Sequence, residues 1–327
     1  MSNTKIKDVA ELAGVSVATV SRVLNNKGYI SKETYEKVYD AINKLDYIPN
    51  QLARSLYKQH SWYISLIVPD SSNPFWAEIT KYIEVKLYDR GYKLFLCNTK
   101  DDANREREYI RMMRQNMVDG IILGTHMLEI DEYQNLTLPI VALDLFIGEH
   151  IPTICVDHVK GGQLAAQEFI KNRCNCVLNI RAILSKNSPS LQRHLVFDRL
   201  LTENGIQCIN YDLKKEADKS EYSGIVNRLF DEYPQIDGVF SEDLLVVNAM
   251  KCALERGIPI PEKLKIVGYD GTDWAGLCYP PITFVAQPIE LLASVLVDVL
   301  LRKISGEVIG GNIILPDITF LKGKTTY

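Results

Sequence analysis

Residues Val15 to Asn26 read VSVATVSRVLNN. Ser16, Thr19, Ser21, Asn25 and Asn26 all have low helix propensity. Yet Val20, Val23 and Leu24 recur at helical spacing. A helix that only covers a core usually shows Glu, Lys and Gln to water. This one shows Val17, Ala18, Ser21, Arg22 and Asn25, small or short polar residues around one guanidinium. Upstream, KDVAELAG puts Val9, Ala10, Leu12 and Ala13 on one apolar face, and Gly14 supplies the positive φ that ends a helix. Ser16 is placed to cap the next helix by accepting from the amide of Thr19. A third helix follows, with Ser31 as cap and Val38, Ile42 and Leu45 as its stripe. Two short helices joined by a Gly turn and closed by a third make a helix-turn-helix. Its second helix then meets base edges. Arg22 forks onto guanine, and Val17 and Ala18 permit close approach. An ordinary three-helix cap would have no use for so short a polar face.

Bulk composition agrees with a divided molecule. The chain has 327 residues, enough for two or three domains, and a net charge of −4. Residues 1–60 hold nine basic and six acidic side chains, a balance of +3, which leaves −7 for the remainder. A basic head on an acidic body suits a nucleic-acid reader joined to something larger. MSNTKIKDVAELAG lacks the apolar stretch of a signal peptide, and no apolar run approaches the ~18 residues of a membrane span. The seven cysteines are scattered and odd in number, as in a reducing compartment. The expectation is a cytoplasmic protein without membrane contact. Cys174 and Cys176 form a lone CxC that reads as a loop pair. No metal or other cofactor is expected.

The next segment, YIPNQLARSLYKQHSWYISLIVPD, runs from a loop broken by Pro49 through a short Asn50-capped helix ending near Leu56 into a strand. With it, the head resembles the lactose–galactose repressor family of bacterial transcription regulators. The motifs that carry the likeness are IKDVAELAGVSVATVSRVLN, GYISKETYEKV and LDYIPNQLARSL, and it continues over essentially the whole chain. The resemblance implies a homodimer on palindromic double-stranded operator DNA, controlled by a small effector. It implies DNA contacts from Ser16, Val17, Ala18, Thr19, Ser21, Arg22, Asn25 and Tyr47, and from Asn50, Ala53, Arg54 and Leu56 in a hinge helix. Leu56 there wedges into the minor groove and kinks the duplex. So short a helix is unstable alone and forms only when DNA and a second hinge bury it. One departure is Lys5, where relatives usually place a Thr cap; Thr4 is expected to substitute one residue early.

The body alternates strand and helix. WYISLIVPD, KLFLCNTK, DGIILGT and PIVALDL make one series of strands. TICVD, VLNIRAIL, CINYDL, DGVFSE and KIVGYDG make a second. ELLASVLVDVLLRKI and NIILPDITFL read as one more helix–strand pair after a crossover near Gln287. Such alternation predicts parallel sheets wrapped by helices, with ligand beyond the C-terminal strand ends. The expected fold class is an all-α helix-turn-helix domain plus an α/β core of two doubly wound parallel-sheet lobes, which the resemblance implies is periplasmic-binding-protein-like. The expected boundaries are 1–48 for the head, 49–61 for hinge and linker, and 62–327 for the core. Within the core, the first lobe spans about 62–157 and 287–317, the second about 158–286 and 318–327.

A sugar site needs carboxylates and amides for hydroxyls, an Arg fork and an aromatic face. Asp144 and Asp270 end strand-like runs, where they serve either as ligands or as loop caps. The resemblance favours the first role and adds Arg193, Phe75 and Trp76 as effector contacts. Gln287 sits at the crossover. The run after the sixth core strand starts at Glu242 where relatives carry Asn, exchanging a donor and acceptor for an acceptor. YDGT and ILPDITFLKGKTT look most like sucrose-type and lactose-type repressors, implying an oligosaccharide or its phosphate. No Walker, GxGxxG or GxSxG pattern appears. His60, His126, His150, His158 and His194 read as isolated surface or packing residues. An enzyme is therefore not expected. The alternatives are a sugar-binding or sugar-processing protein without an operator, or a repressor answering a non-sugar effector.

Overall fold

The computed structural model describes residues 4–25, 28–47, 60–124, 128, 132–133, 135–181, 188–213 and 219–327, the Asn116 side chain excepted. Asn50, Ala53, Arg54 and Leu56 of the expected hinge lie outside the described residues, as does His126. The chain divides into two compact units, residues 1–61 and 62–327.

The head is three helices: α1 (Ile6–Ala13), α2 (Val17–Leu24) and α3 (Lys32–Lys44). Gly14 ends α1 at φ 64°. Ser16 Oγ accepts from the Thr19 amide at 3.1 Å, and Ser31 Oγ from the Thr34 amide at 3.2 Å. Each cap satisfies an amide that has no partner within its helix. Val9, Ala10, Ala13, Val20, Val23, Val38 and Ala41 form the buried core. Two expectations change. Leu12 is 51% exposed, because it falls about 110° round the helix from the centre of the Val9–Ala10–Ala13 face. Thr4 does not cap α1. Its hydroxyl donates to the Leu45 carbonyl at 3.4 Å, since it lies one residue too early for the first-turn amides. The Lys5 amide donates instead to Asp8 Oδ2 at 2.7 Å.

The core holds two six-stranded sheets. The first has the order β11-β5-β4-β3-β1-β2, built from β1 (Tyr63–Val68), β2 (Lys93–Asn98), β3 (Gly120–Leu123), β4 (Ile140–Leu143), β5 (Thr153–Val156) and β11 (Asn312–Leu315). All its pairings are parallel. The second has the order β12-β10-β9-β8-β6-β7. It comprises β6 (Cys176–Arg181), β7 (Gln207–Asp212), β8 (Gly238–Glu242), β9 (Lys265–Asp270), β10 (Thr283–Ala286) and β12 (Thr319–Leu321). Among the described residues its pairings are parallel except β10–β12, which is antiparallel. Helices cover both faces, so central strands are buried on both sides and read as unbroken apolar runs. Ile64, Leu66, Ile122, Val141 and Ile154 are inaccessible in the first lobe, as are Val239, Ile266 and Val267 in the second. Each such side chain contributes roughly 1.5–3 kcal/mol on burial.

Four further helices matter for the cleft. They are α4 (Pro74–Tyr88) after β1, α6 (His158–Lys171) after β5, α7 (Leu191–Glu203) after β6 and α9 (Asp243–Glu255) after β8. The other α-helices among the described core residues are α5 (Ala103–Met112), α8 (Tyr222–Glu232) and α10 (Ile289–Ile304). The chain passes between the sheets after β5, after β10 and after β11. The run TICVD, grouped with the second strand series though inside the 62–157 span expected for the first lobe, is β5 and pairs with β4 and β11 in the first sheet. NIILPDITFL is not one strand. Pro316, which has no amide to give a ladder, follows β11, and the chain enters the other sheet as antiparallel β12. Cys174 lies in the turn before β6, buried in the core, while Cys176 opens β6, so the expected loop position holds for Cys174 and not for Cys176. No described helix is long and apolar enough to cross a membrane.

Candidate functional site

In the head, Ser16, Val17, Ala18 and Arg22 are exposed, while Thr19, Ser21 and Asn25 are half-buried. The Asn25 amide donates to the Ser21 carbonyl at 2.8 Å and so finishes its own helix. Tyr47 is half-buried against the head core, and burial pushes its hydroxyl pKa up. Tyr29, passed over in the sequence, is 99% exposed between α2 and α3.

In the core, the strand-end polar groups converge. Asp144 follows β4 at φ 52°, and Asp270 ends β9 at φ 92°. Left-handed backbone is uncommon outside glycine and concentrates at binding sites. His158, at the start of α6, joins the lobes. Its Nε2 donates to Asp144 Oδ1 at 2.8 Å, and its Nδ1 bonds the Tyr269 hydroxyl at 3.0 Å. The Arg193 guanidinium lies 4.1 Å over the Tyr269 ring, and Arg193 Nε donates to His194 Nε2 at 3.3 Å. His194 Nδ1 bonds Asn179 Oδ1 at 2.9 Å. Burial, then the neighbouring Arg193, drive the His194 pKa well below its ordinary value, so it is neutral. His158 and His194 are thus buried network members, where surface or packing roles were expected. Tyr269 lies 111 residues from His158, and even the nearer partners, Asp144 after β4 and Asn179 on β6, belong to other elements.

The Gly161–Gly162 pair explains how these groups meet. A Cβ at Gly161 would stand 2.5 Å from the Tyr269 hydroxyl, and one at Gly162 would stand 2.3 Å from the Arg193 carbonyl. Two bare backbones therefore let β9 and α7 close onto α6.

Asp270 accepts from Gln287 Nε2 at 2.7 Å, and the Gln287 amide donates to the Asp270 carbonyl at 2.9 Å. Gln287 Oε1 is buried with no donor among the described residues. Burial raises the Asp270 carboxyl, with Arg193 opposing. Glu242, the cap position of α9, is pushed up to about 7, first by burial and then by Asp270, against Arg193 and Lys219. Asp243 beside it has a structural duty. It accepts from the Gly271 amide at 3.1 Å, the Thr272 amide at 2.8 Å and the Thr272 hydroxyl at 2.6 Å. Phe75 is buried in the lobe core, while Trp76 is half-buried with its ring where a Gly124 side chain would be, 2.4 Å from that Cβ. Of the expected aromatic pair, Trp76 offers the more accessible face.

Other bonds hold the lobes together. Lys219 pairs with Asp70 at 2.6 Å and donates to Ser72 Oγ at 2.8 Å. Burial pushes the Asp70 carboxyl up, but its bonds to Lys219 and Ser72 outweigh this and lower it. Glu78 accepts the Asp273 amide at 2.9 Å, and Ser188 Oγ donates to the Asp144 carbonyl at 2.9 Å. An open groove of about 520 Å³ adjoins the cluster at Gln287, which lines it together with Glu78, Tyr82, Lys86, Gly271 and Leu291. It does not reach Asp144, Arg193 or Glu242, so the strand-end cluster is the better candidate for a polar ligand. Among the described residues, no three His, Cys, Asp or Glu side chains form a metal cluster.

Comparison with known proteins agrees with this architecture. Residues 5–50 match the model of bacterial regulatory proteins of the lacI family. Residues 61–323 match that of the periplasmic binding proteins and sugar binding domain of the LacI family. The chain is 39% identical to the sucrose operon repressor of Streptococcus mutans over 98% of this chain and 99% of that protein. It is also 39% identical to the ribose operon repressor of Halalkalibacterium halodurans, over 92% and 90%. The Lac repressor dimer bound to operator and the anti-inducer ONPF superposes at TM-score 0.85, with 25% identity and 99% of each chain covered. A periplasmic binding protein/LacI regulator from Alkaliphilus metalliredigens complexed with D-xylulofuranose superposes at 0.75, with 29% identity, covering 82% of this chain and all of that one. With both units matched and this identity over nearly the full length, the chain belongs to the lacI family of bacterial regulatory proteins.

Proposed function

We propose that the protein is a cytoplasmic, homodimeric transcriptional repressor that reads a palindromic operator and answers a sugar held between the lobes of its core. The observation that carries this reading is the meeting of Asp144, Arg193, Asp270 and Gln287 at strand ends from both sheets, in one chain with an exposed Val17–Ala18–Arg22 helix face. The sucrose and ribose operon repressors among its relatives support it. Arg22 reads bases. Ser16, Thr19, Ser21, Asn25 and Tyr47 position the head, and the hinge from Asn50 through Ala53 and Arg54 to Leu56 engages the minor groove. A ligand that touches both lobes favours one interlobe angle, which sets the spacing of the two hinges and so the affinity for DNA. The chain performs no catalysis in this scheme.

Operator binding by the full-length protein, followed by fluorescence anisotropy with and without a sugar panel, tests the reading. Reciprocity requires sugar and operator to change one another's affinity by the same factor. Asp270→Ala should abolish the sugar response and leave sugar-free DNA binding intact. A protein that footprints no palindrome, or whose operator affinity ignores every sugar, would defeat the proposal.

A further inference from the structure

The charges of the cleft are lopsided. Asp144 follows β4, and Glu242 and Asp270 end β8 and β9; Arg193 opposes the charges of Glu242 and Asp270, while Asp144 is held by the His158 ring. That guanidinium is already stacked on Tyr269 and bonded to His194. Lys219, within electrostatic reach of Glu242, is engaged by Asp70 and Ser72.

Gln287 adds an independent observation. It is only 8% exposed, its amide nitrogen donates to Asp270, and its Oε1 has no donor among the described residues. A carboxylate accepts, which fixes the amide's orientation and makes the orphan atom an acceptor. That acceptor calls for a hydroxyl or ammonium. The hydroxyls of a sugar satisfy it whether or not the sugar is esterified, so charge alone separates the two: an ionised phosphate adds about −1.5 to −2 charges. Charges in a half-buried site also repel several times more strongly than in water.

Resting on the sugar-site reading above, we infer that the cleft takes a sugar presenting hydrogen-bond donors and no anionic group, and that Glu242 excludes phosphate esters. Of the two effectors expected from the sequence, the free sugar fits this site and its phosphate does not. Glu242 already feels the crowding, since burial and Asp270 push its carboxyl up. A bound phosphate would add to that repulsion.

The test is calorimetry on the full-length protein at slightly alkaline pH. Ribose, xylulose and sucrose are each compared with their own phosphate esters, and glucose is compared with glucosamine. At least one parent sugar should bind, and its ester should bind at least about tenfold more weakly. Glu242→Gln should narrow that ratio several-fold, which a merely structural residue would not do. Tighter binding of glucosamine than glucose assigns the donor as an ammonium, and the reverse assigns a hydroxyl; both support the inference. An ester that equals or outbinds its parent overturns it in the wild-type protein, whatever the variant does. If neither arm binds while operator binding persists, the sugar reading itself fails and takes this inference with it.

Discussion

Glu242→Gln should flatten the dependence of core stability on pH. The wild-type carboxyl titrates at about 7 against an ordinary 4.5. Between these values the folded core holds a proton that the unfolded chain has released. Stability therefore falls as pH rises through this window, and the contribution is gone above it. The interval is about 2.5 pH units, or at most about 3.4 kcal/mol at 1.36 kcal/mol per unit. That is an upper bound, because Glu242 keeps some contact with water. In a core of this size, 1 kcal/mol moves Tm by roughly 2–4 °C, so wild type should lose on the order of 5–10 °C of Tm between mildly acidic and mildly alkaline buffer. Asp243 and Asp270 are also raised and push in the same direction, while Asp70 and Glu168 are lowered and push the other way. The informative quantity is the difference between variant and wild type, followed by scanning calorimetry across the pH series. The variant should lose much of the slope and equal or exceed wild type at the alkaline end. Parallel curves for the two proteins would mean that Glu242 is solvated and charged throughout, and the electrostatic account of the cleft would be wrong.

Arg22→Ala should cost roughly 1–3 kcal/mol on the operator and little on random DNA, as read by anisotropy; equal losses on both would make Arg22 a phosphate contact. Leu56→Ala should leave sugar affinity unchanged and reduce DNA bending in a gel-phasing assay, whereas an unchanged bend would leave Leu56 a linker residue. Asp243→Ala strands the amides of Gly271 and Thr272 and the Thr272 hydroxyl; at about 1–3 kcal/mol for a stranded buried group, urea denaturation should show a loss of roughly 3 kcal/mol or more. A loss below about 1 kcal/mol would show that water replaces the carboxylate.

What the sequence decided by itself was local. Ser16 and Ser31 cap α2 and α3 because each hydroxyl needs only an amide three residues on. The alternation of apolar runs with amphipathic stretches was enough to call paired α/β lobes, since a strand buried on both faces leaves no other composition. Asp144 and Asp270 were readable as strand-end carboxylates for the same reason. The pairing partners of individual strands waited for the tertiary structure. TICVD belongs to the first sheet because β5 sits between β4 and β11, which no local pattern states. NIILPDITFL splits between two sheets because the partners of its halves, β5 and β10, lie in different lobes. His158 became a cross-lobe residue only when Asp144 and Tyr269 arrived on either side of it, 14 and 111 residues away. The Gly161–Gly162 pair, meaningless as a motif, proved to be the space that Tyr269 and Arg193 need. Capping and periodicity are set by neighbours along the chain, whereas a binding site is set by which strand ends face one another, and only packing chooses those.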